Sequence, residues 1–343
     1  MNEIVRNKEI ISIYNKDIPQ FILEGEECPA FKRILKIGMH CGMEYTSFPF
    51  YKDFGPYSRG FHSLGVALII YHFTNSVKES LSGLYHDIAT PAFSHVIDFL
   101  NKDYLTQEST EEKTSLIITN DNSIQCLLKR LGLNTSDVSN YHMYPIADND
   151  SPKLSADRLE YTLSNFLNYS FATIQEVKDI YDDLVVSENE FCEPELCFKH
   201  VDMASKFALL TLKNSRVYVN DCDRYGMEIL ARLIKKAIEL KVLTMDDLYL
   251  TEDIVISKLE SNPITKHDFD TFRSMNDLIV STTMVPNAIK VKSKKRYINP
   301  FVIDKGRISK IDSYVKQEID SFLSLSFDEY LSDKNVKAYS FKV

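Results

Sequence analysis

Between Arg59 and Phe73 apolar residues occupy almost every side of a helical wheel, which predicts a central helix buried all round. Val77 to Asp87 continues as a second helix. Pro91 has no N–H to give the Asp87 carbonyl, and its ring clashes there, so the helix must kink or end at about Asp87–Ala89. Phe93 to Leu100 then resumes a helix, and Ser155 opens another through Phe166. Beyond Phe198 the pattern is that of a helical second half. Tyr225 to Leu240 carries Met227, Leu230, Ile234 and Ile238 on one side, and Asp253–Glu260, Asp268–Val280 and Ile311–Leu331 read as further helices.

The remaining stretches read as connections. Residues 1–30 suggest an irregular arm with a strand-like run at Phe21-Ile-Leu, and residues 31–58 have the aromatic, Gly and Pro content of loops. Ser109-x-x-Glu112 reads as a capping box before Thr114–Thr119. Residues 134–155 read as a long polar loop, and Ala288–Val302 alternates enough for a small hairpin. The expectation is an all-α fold with a minor sheet. It divides into a first domain, residues 1–197, and a helical C-terminal region, residues 198–343, with the hairpin.

Composition narrows the function classes. Forty basic residues face 49 acidic ones in 343, a net charge of −9, which disfavours nonspecific nucleic-acid binding. Six Cys fall in no zinc-ribbon spacing and predict reduced thiols in a cytoplasmic protein. The N-terminal residues lack a signal-peptide apolar stretch, and the longest apolar run, Leu64 to Phe73, is too short to span a bilayer.

Candidate chemistry gathers at histidines in apolar surroundings: His62, His86 and His95. An imidazole buried without a partner costs about 1–3 kcal/mol by mutational measures. His86 precedes Asp87 just before the Pro91 break, so both side chains can turn toward one point. Imidazole with carboxylate is a mixed set suited to Mn, Fe, Ni, Zn or Mg ions. By contrast, His267-Asp268 after Thr265 reads as an ordinary helix start.

The ordered motifs are Arg59-Gly-Phe-His62-Ser-Leu-Gly-Val, Tyr85-His86-Asp87-Ile-Ala-Thr-Pro-Ala-Phe-Ser-His95 and Asp157-Arg158-Leu-Glu160-Tyr161. Together they resemble the HD-domain metal-dependent phosphohydrolases, and within them the deoxynucleoside triphosphate triphosphohydrolase branch. Thr251-Glu-Asp-Ile-Val-Ile-Ser-Lys-Leu resembles the C-terminal half of that family. The resemblance implies an HD-domain helical fold and one divalent cation (Mn, Fe, Ni, Co, Zn or Mg) on His62, His86, Asp87 and Asp157. It gives Arg59, His95 and Arg158 to substrate phosphates and Tyr161 to the sugar. It implies hydrolysis of a phosphate ester in a nucleotide or other phosphorylated small molecule. A homo-oligomer is expected. Other readings of the flanking residues remain open: Arg158 pairing with Glu160 or Asp157, His95 as a cap or core residue, Tyr161 as a core aromatic.

Two positions depart from that pattern. Thr90 stands where H-D-x-x-H has its second His. Glu111-Glu112-Lys-Thr-Ser115 aligns with His-Glu-x-x-Ser, so a Glu replaces the other His. Glu111 or Glu112 is therefore a candidate base or second-cation ligand, alongside Asp87 as a catalytic carboxylate; the alternative is that Glu112 only caps with Ser109. These losses keep three functions in view: triphosphohydrolase, another HD phosphatase or phosphodiesterase acting on a nucleotide monophosphate or cyclic nucleotide, and a non-catalytic nucleotide-binding module. Five Lys or Arg between Lys290 and Arg296 form either an anion-binding segment or a solvated hairpin edge.

Overall fold

The computed structural model describes residues 3–52, 55–97 and 113–343, so Ser109, Glu111 and Glu112 lie outside the described residues. The chain is mostly helical, with two small sheets. The N-terminal stretch is helical where an irregular arm was expected: α1 (Glu3–Tyr14), α2 (Gln20–Glu26) and α3 (Pro29–Ile34). The run Phe21-Ile-Leu sits inside α2. Three apolar residues are too few to separate a period of two from one of 3.6.

Helix α4 (Arg59–Thr74) is the buried centre. Ser58 caps it by accepting the Phe61 N–H, and Asn75 ends it in the left-handed region at φ 53°. Helix α5 (Val77–Tyr85) starts on Ser76 and packs along α4. It ends before Pro91, and His86 to Thr90 form a tight turn closed by Ile88 N–H to Tyr85 O and Thr90 N–H to Asp87 O. The helix expected from Phe93 begins instead as a turn, because Phe93 and Ser94 hold φ of 61° and 51°. Helices α6 (Thr114–Asn120) and α7 (Asn122–Leu131) follow. The polar stretch 134–155 contains one short helical turn and one 3-10 turn. Helix α8 (Ala156–Asn168), capped by Ser155 Oγ on the Arg158 N–H, packs across α4.

After α9 (Ile174–Asp182), strands β1 (Leu184–Glu188) and β2 (Pro194–Phe198) form an antiparallel hairpin that the helical pattern did not suggest. Helices α10 (Val201–Tyr218), α11 (Asp221–Glu239), α12 (Glu252–Glu260) and α13 (Pro263–Arg273) make up the second half. His267 and Asp268 lie inside α13, which is capped by Asn262 rather than Thr265. The segment read as helix to Val280 turns into strand β3 (Leu278–Ser281).

Residues 291–300 form no helix or strand, so the expected Ala288–Val302 hairpin is displaced. The hairpin that forms is β4 (Phe301–Val302) with β5 (Gly306–Arg307). Lys295 instead caps α14 (Ser313–Leu323) by donating to the Leu323 and Leu325 carbonyls. That helix stops well short of Leu331, and β6 (Tyr330–Asp333) pairs antiparallel with β3.

β2 also pairs in parallel with β4, at Phe198 and Val302, so the four-stranded sheet draws strands from both sides of residue 197. Buried Arg307 locks it with a two-pronged bond to Glu195, 2.6 and 2.7 Å. One apolar cluster runs from Ile10 to Val343. Among the described residues no helix is long and apolar enough to cross a membrane. All six cysteines are free thiols.

Candidate metal centre

α4, the turn after α5 and the first turn of α8 meet at one place, and each brings a ligand-type side chain. One ligand atom each from His62, His86 and Asp87 lies within 4.8 Å of the other two. Asp157 Oδ1 stands 3.0 Å from His62 Nε2 and 3.6 Å from His86 Nε2, and Asp87 Oδ2 is 3.7 Å from His86 Nε2. The four residues expected to act together are thus brought to one point. The break before Pro91 does this for His86 and Asp87, since both lie in the turn rather than on a continuing helix, where neighbouring side chains point about 100° apart.

The imidazoles are held from behind. His86 Nδ1 donates to the Gly83 carbonyl at 2.7 Å, which leaves Nε2 facing the cluster. His62 Nδ1 bonds Glu160 Oε2 at 2.5 Å. Glu160 is completely buried and also accepts from Tyr57 OH at 2.6 Å and Ser164 Oγ at 2.6 Å. Asp157 and Glu160, three apart on α8, therefore address the two nitrogens of one ring. Burial would lower the His62 pKa, but its bonds to Asp157 and Glu160 outweigh that and carry it up to about 10. Burial would likewise raise the Asp87 and Asp157 carboxyls. The Arg59 charge beside Asp87, and the His62 bond to Asp157, hold both below the usual carboxylate range. Two carboxylates, two oriented imidazoles and shared burial are a donor set that fits a divalent cation.

Arg59, on the first turn of α4, is buried and donates from Nη1 to Asp87 Oδ2 at 3.0 Å and from Nε to Ser94 Oγ at 3.0 Å. Thr90, which stands where the motif has a His, donates to Asp87 Oδ1 at 2.9 Å. Asp87 is thus gripped on both oxygens. His95 sits half-buried at the end of the Phe93–Ser94 turn. Arg158 bonds the Lys153 carbonyl at 2.8 Å, Asn149, and Asp148 Oδ1 at 3.1 Å, and so ties down the loop before α8. Tyr161 lies with its ring 6.4 Å from that of His62 and 6.3 Å from that of Tyr218. Burial raises its phenol pKa, against the pull of the nearby Arg296 charge. Of the basic segment, Lys290 lies over the Tyr330 ring, and Arg296 is the residue whose charge reaches the Tyr161 and Tyr218 phenols.

Several contributors escape a reading of the sequence. Glu160 stands in the Asp157–Tyr161 motif and beside Arg158, and its i+3 spacing from Asp157 is the signal that puts both carboxylates on one face of α8. Gly65, in the same motif as His62, has its physical reason here: a Cβ on it would lie 2.5 Å from Glu160 Cγ. Tyr141 places its ring 4.9 Å from that of His86, and neighbouring His142 bonds Asp148 at 2.8 Å, within the stretch read as a polar loop.

No family model matches the chain. An uncharacterised protein, YdhJ, from Bacillus subtilis is 27% identical over 203 residues, 59% of this chain and 60% of its own length. The metal-dependent phosphohydrolase cns2 of Cordyceps militaris is 24% identical over 124 residues, 36% of this chain and 35% of its own. The chain therefore spans less than two thirds of either relative. A crystal structure of a hypothetical protein from Aquifex aeolicus has the same fold, with a TM-score of 0.65 at 17% identity over 94% of this chain and 95% of that one. A distant, partial relative is thus a metal-dependent phosphohydrolase, and this chain carries a His/Asp group able to hold a metal.

Proposed function

We propose that this protein is an HD-domain phosphohydrolase that cleaves a phosphate ester, with a nucleotide of the deoxynucleoside triphosphate type as the favoured substrate. The observation that carries the reading is the convergence of His62, His86 and Asp87 with Asp157 beside them, in the order of the resembling motif. These four would hold the divalent cation. When bound, the cation supplies Lewis acidity toward a phosphoryl oxygen and lowers the pKa of a water.

The chain's own residues do the rest. His86 and His62 keep their Nε2 atoms aimed at the cluster, because Gly83 and Glu160 occupy the opposite nitrogens. Arg59 brings permanent positive charge to the Asp87 edge; two of its five N–H donors are committed to Asp87 and Ser94, and the remaining fork suits phosphate oxygens. Phosphoryl transfer asks mainly for position and charge, which this set provides. Tyr161 and Tyr218 form an aromatic wall next to the ring of His62, suited to the sugar, with the Arg296 charge behind it. The net charge of −9 repels nucleotides at long range, but a local cationic site prevails within a Debye length of roughly 8–10 Å.

The test is a screen of nucleotides with Mn, Mg, Co, Ni and Fe, with product identification and metal analysis. Metal-dependent hydrolysis that His86→Ala and Asp157→Ala abolish supports the reading. Release of intact triphosphate assigns the triphosphohydrolase branch, whereas inorganic phosphate or an opened cyclic nucleotide assigns another HD activity. Metal and nucleotide binding without turnover assigns a binding module. A protein that takes up no metal on these residues overturns the proposal.

A further inference from the structure

We propose that Glu252, at the start of α12 in the C-terminal half, is a positioning residue for Arg59 and through it for Asp87. The inference rests on the phosphate-ester reading of the site and extends it to a residue 165 positions away from Asp87. Glu252 is almost wholly buried, and three donors converge on its carboxylate. Oε1 accepts the Gly38 N–H and the Phe93 N–H, each at 3.0 Å, and Oε2 accepts Tyr45 OH at 2.7 Å.

What those donors hold explains the role. Phe93 and Ser94 both stand in the left-handed region, which side chains other than glycine adopt only when surroundings impose it. Glu252 pins the N–H of the first of them, and the neighbouring Ala92 N–H is pinned by the Leu248 carbonyl at 2.7 Å, just upstream of α12. So held, Ser94 aims its hydroxyl between two partners: it donates to the Gly38 carbonyl at 2.8 Å and accepts from Arg59 Nε at 3.0 Å. Gly38 is therefore gripped at both ends of its backbone, N–H by Glu252 and carbonyl by Ser94. Arg59 then reaches Asp87 at 3.0 Å. Two routes join Glu252 to the guanidinium: through the Phe93–Ser94 turn, and through Gly38 and then the Ser94 hydroxyl.

The residue type suits the task. A carboxylate presents acceptors to all three donors at once. An amide keeps the geometry if its oxygen faces the two backbone N–H groups and its NH₂ donates to Tyr45, whose hydroxyl turns to accept. Aspartate keeps the charge but is one methylene short. The order of function is therefore Glu, then Gln, then Asp. A role resting on charge alone reverses the last two.

The experiment uses full-length protein labelled with ¹⁵N-arginine, with Arg59→Lys assigning the Arg59 Nε–H signal. In the wild type that hydrogen is expected to exchange slowly, since it is buried and bonded to Ser94. Glu252→Asp is expected to shift the signal and speed its exchange at least tenfold, and Glu252→Gln to leave it near wild type. Leu259→Ala, a buried site on the same helix away from the loop, serves as the structural control: it lowers thermal stability without moving the signal. On the substrate found by the screen, Arg59→Lys is expected to cost at least tenfold in kcat/KM in the wild-type background and less than threefold with Glu252→Asp. An unchanged Arg59 signal in Glu252→Asp, or an undiminished Arg59→Lys penalty, overturns the inference while the phosphohydrolase reading stands. If the wild type hydrolyses no phosphate ester, that reading fails by itself, and the Arg59 signal alone decides the positioning role.

Discussion

Replacing Gly65 by alanine sets two calculable effects against each other. Gly65 lies in α4, three residues after His62, on the face that α8 covers. Within a helix, alanine is favoured over glycine by about 1 kcal/mol. Against that gain, the new Cβ would sit 2.5 Å from Glu160 Cγ, 2.9 Å from Oε1 and 3.0 Å from Cδ. Glu160 has no solvent into which to retreat, and its carboxylate is bonded to His62, Tyr57 and Ser164 at 2.5–2.6 Å. Overpacking of this kind costs about 1–3 kcal/mol, and loss of one bond to a charged group a further 1.5–3 kcal/mol or so. The balance is a destabilisation of roughly 1.5–5 kcal/mol. Because Glu160 fixes the His62 ring, affinity for Mn²⁺ should also fall by about 10–100-fold, the usual cost of losing an outer partner of a metal-ligating His. The assays are urea unfolding of the metal-free protein and calorimetric titration with Mn²⁺. Gly226→Ala, in α11, is the control: its Cβ meets only the side chain of Met43, so it should change stability without the loss of metal affinity. A Gly65→Ala protein more stable than wild type, with Mn²⁺ affinity unchanged, would refute the claim that this glycine exists to admit Glu160.

Thr90→Val keeps the side-chain shape and removes the hydroxyl on Asp87; unfolding should change little, while Mn²⁺ affinity measured by calorimetry drops about tenfold. Arg158→Ala should lower stability by about 1–3 kcal/mol through the 148–153 loop, with phosphate inhibition constants within threefold of wild type; the opposite pattern would return Arg158 to the phosphate. Burial pushes the Asp223 carboxyl up to about 7, against the pull of its bond from Tyr51. The folded protein then binds more protons than the unfolded chain between the ordinary 3.8 and about 7, so this group's stabilisation is full below pH 4 and is lost as pH rises through 7. Urea midpoints at pH 5 and pH 8 should therefore differ in wild type by more than in Asp223→Asn, and equal differences would exclude the raised pKa.

Local signals in the chain determined a good deal. Ser58, Ser76 and Ser155 start α4, α5 and α8, where a hydroxyl can take an orphan N–H. Pro91 ends the α5 region, where its ring denies the fourth preceding carbonyl a donor. These signals, with the spacing of His62, His86, Asp87 and Asp157, were enough to mark the His/Asp cluster, because caps, breaks and helix faces are settled within a few residues. Short-range reasoning could not determine which donors meet across long separations. Arg158 has acidic neighbours in its own helix, yet packing turns it onto the Asn149 loop. Glu160 could have faced solvent, but the crossing of α8 on α4 buries it against His62. The strands of two to five residues carry too little alternation to announce themselves, and β2 finds β4 only because the helices between them fold back. Phe93 and Ser94 sit in a helical-looking stretch whose backbone is decided by Glu252, more than 150 residues later, since a left-handed residue persists only where tertiary bonds outweigh its local preference.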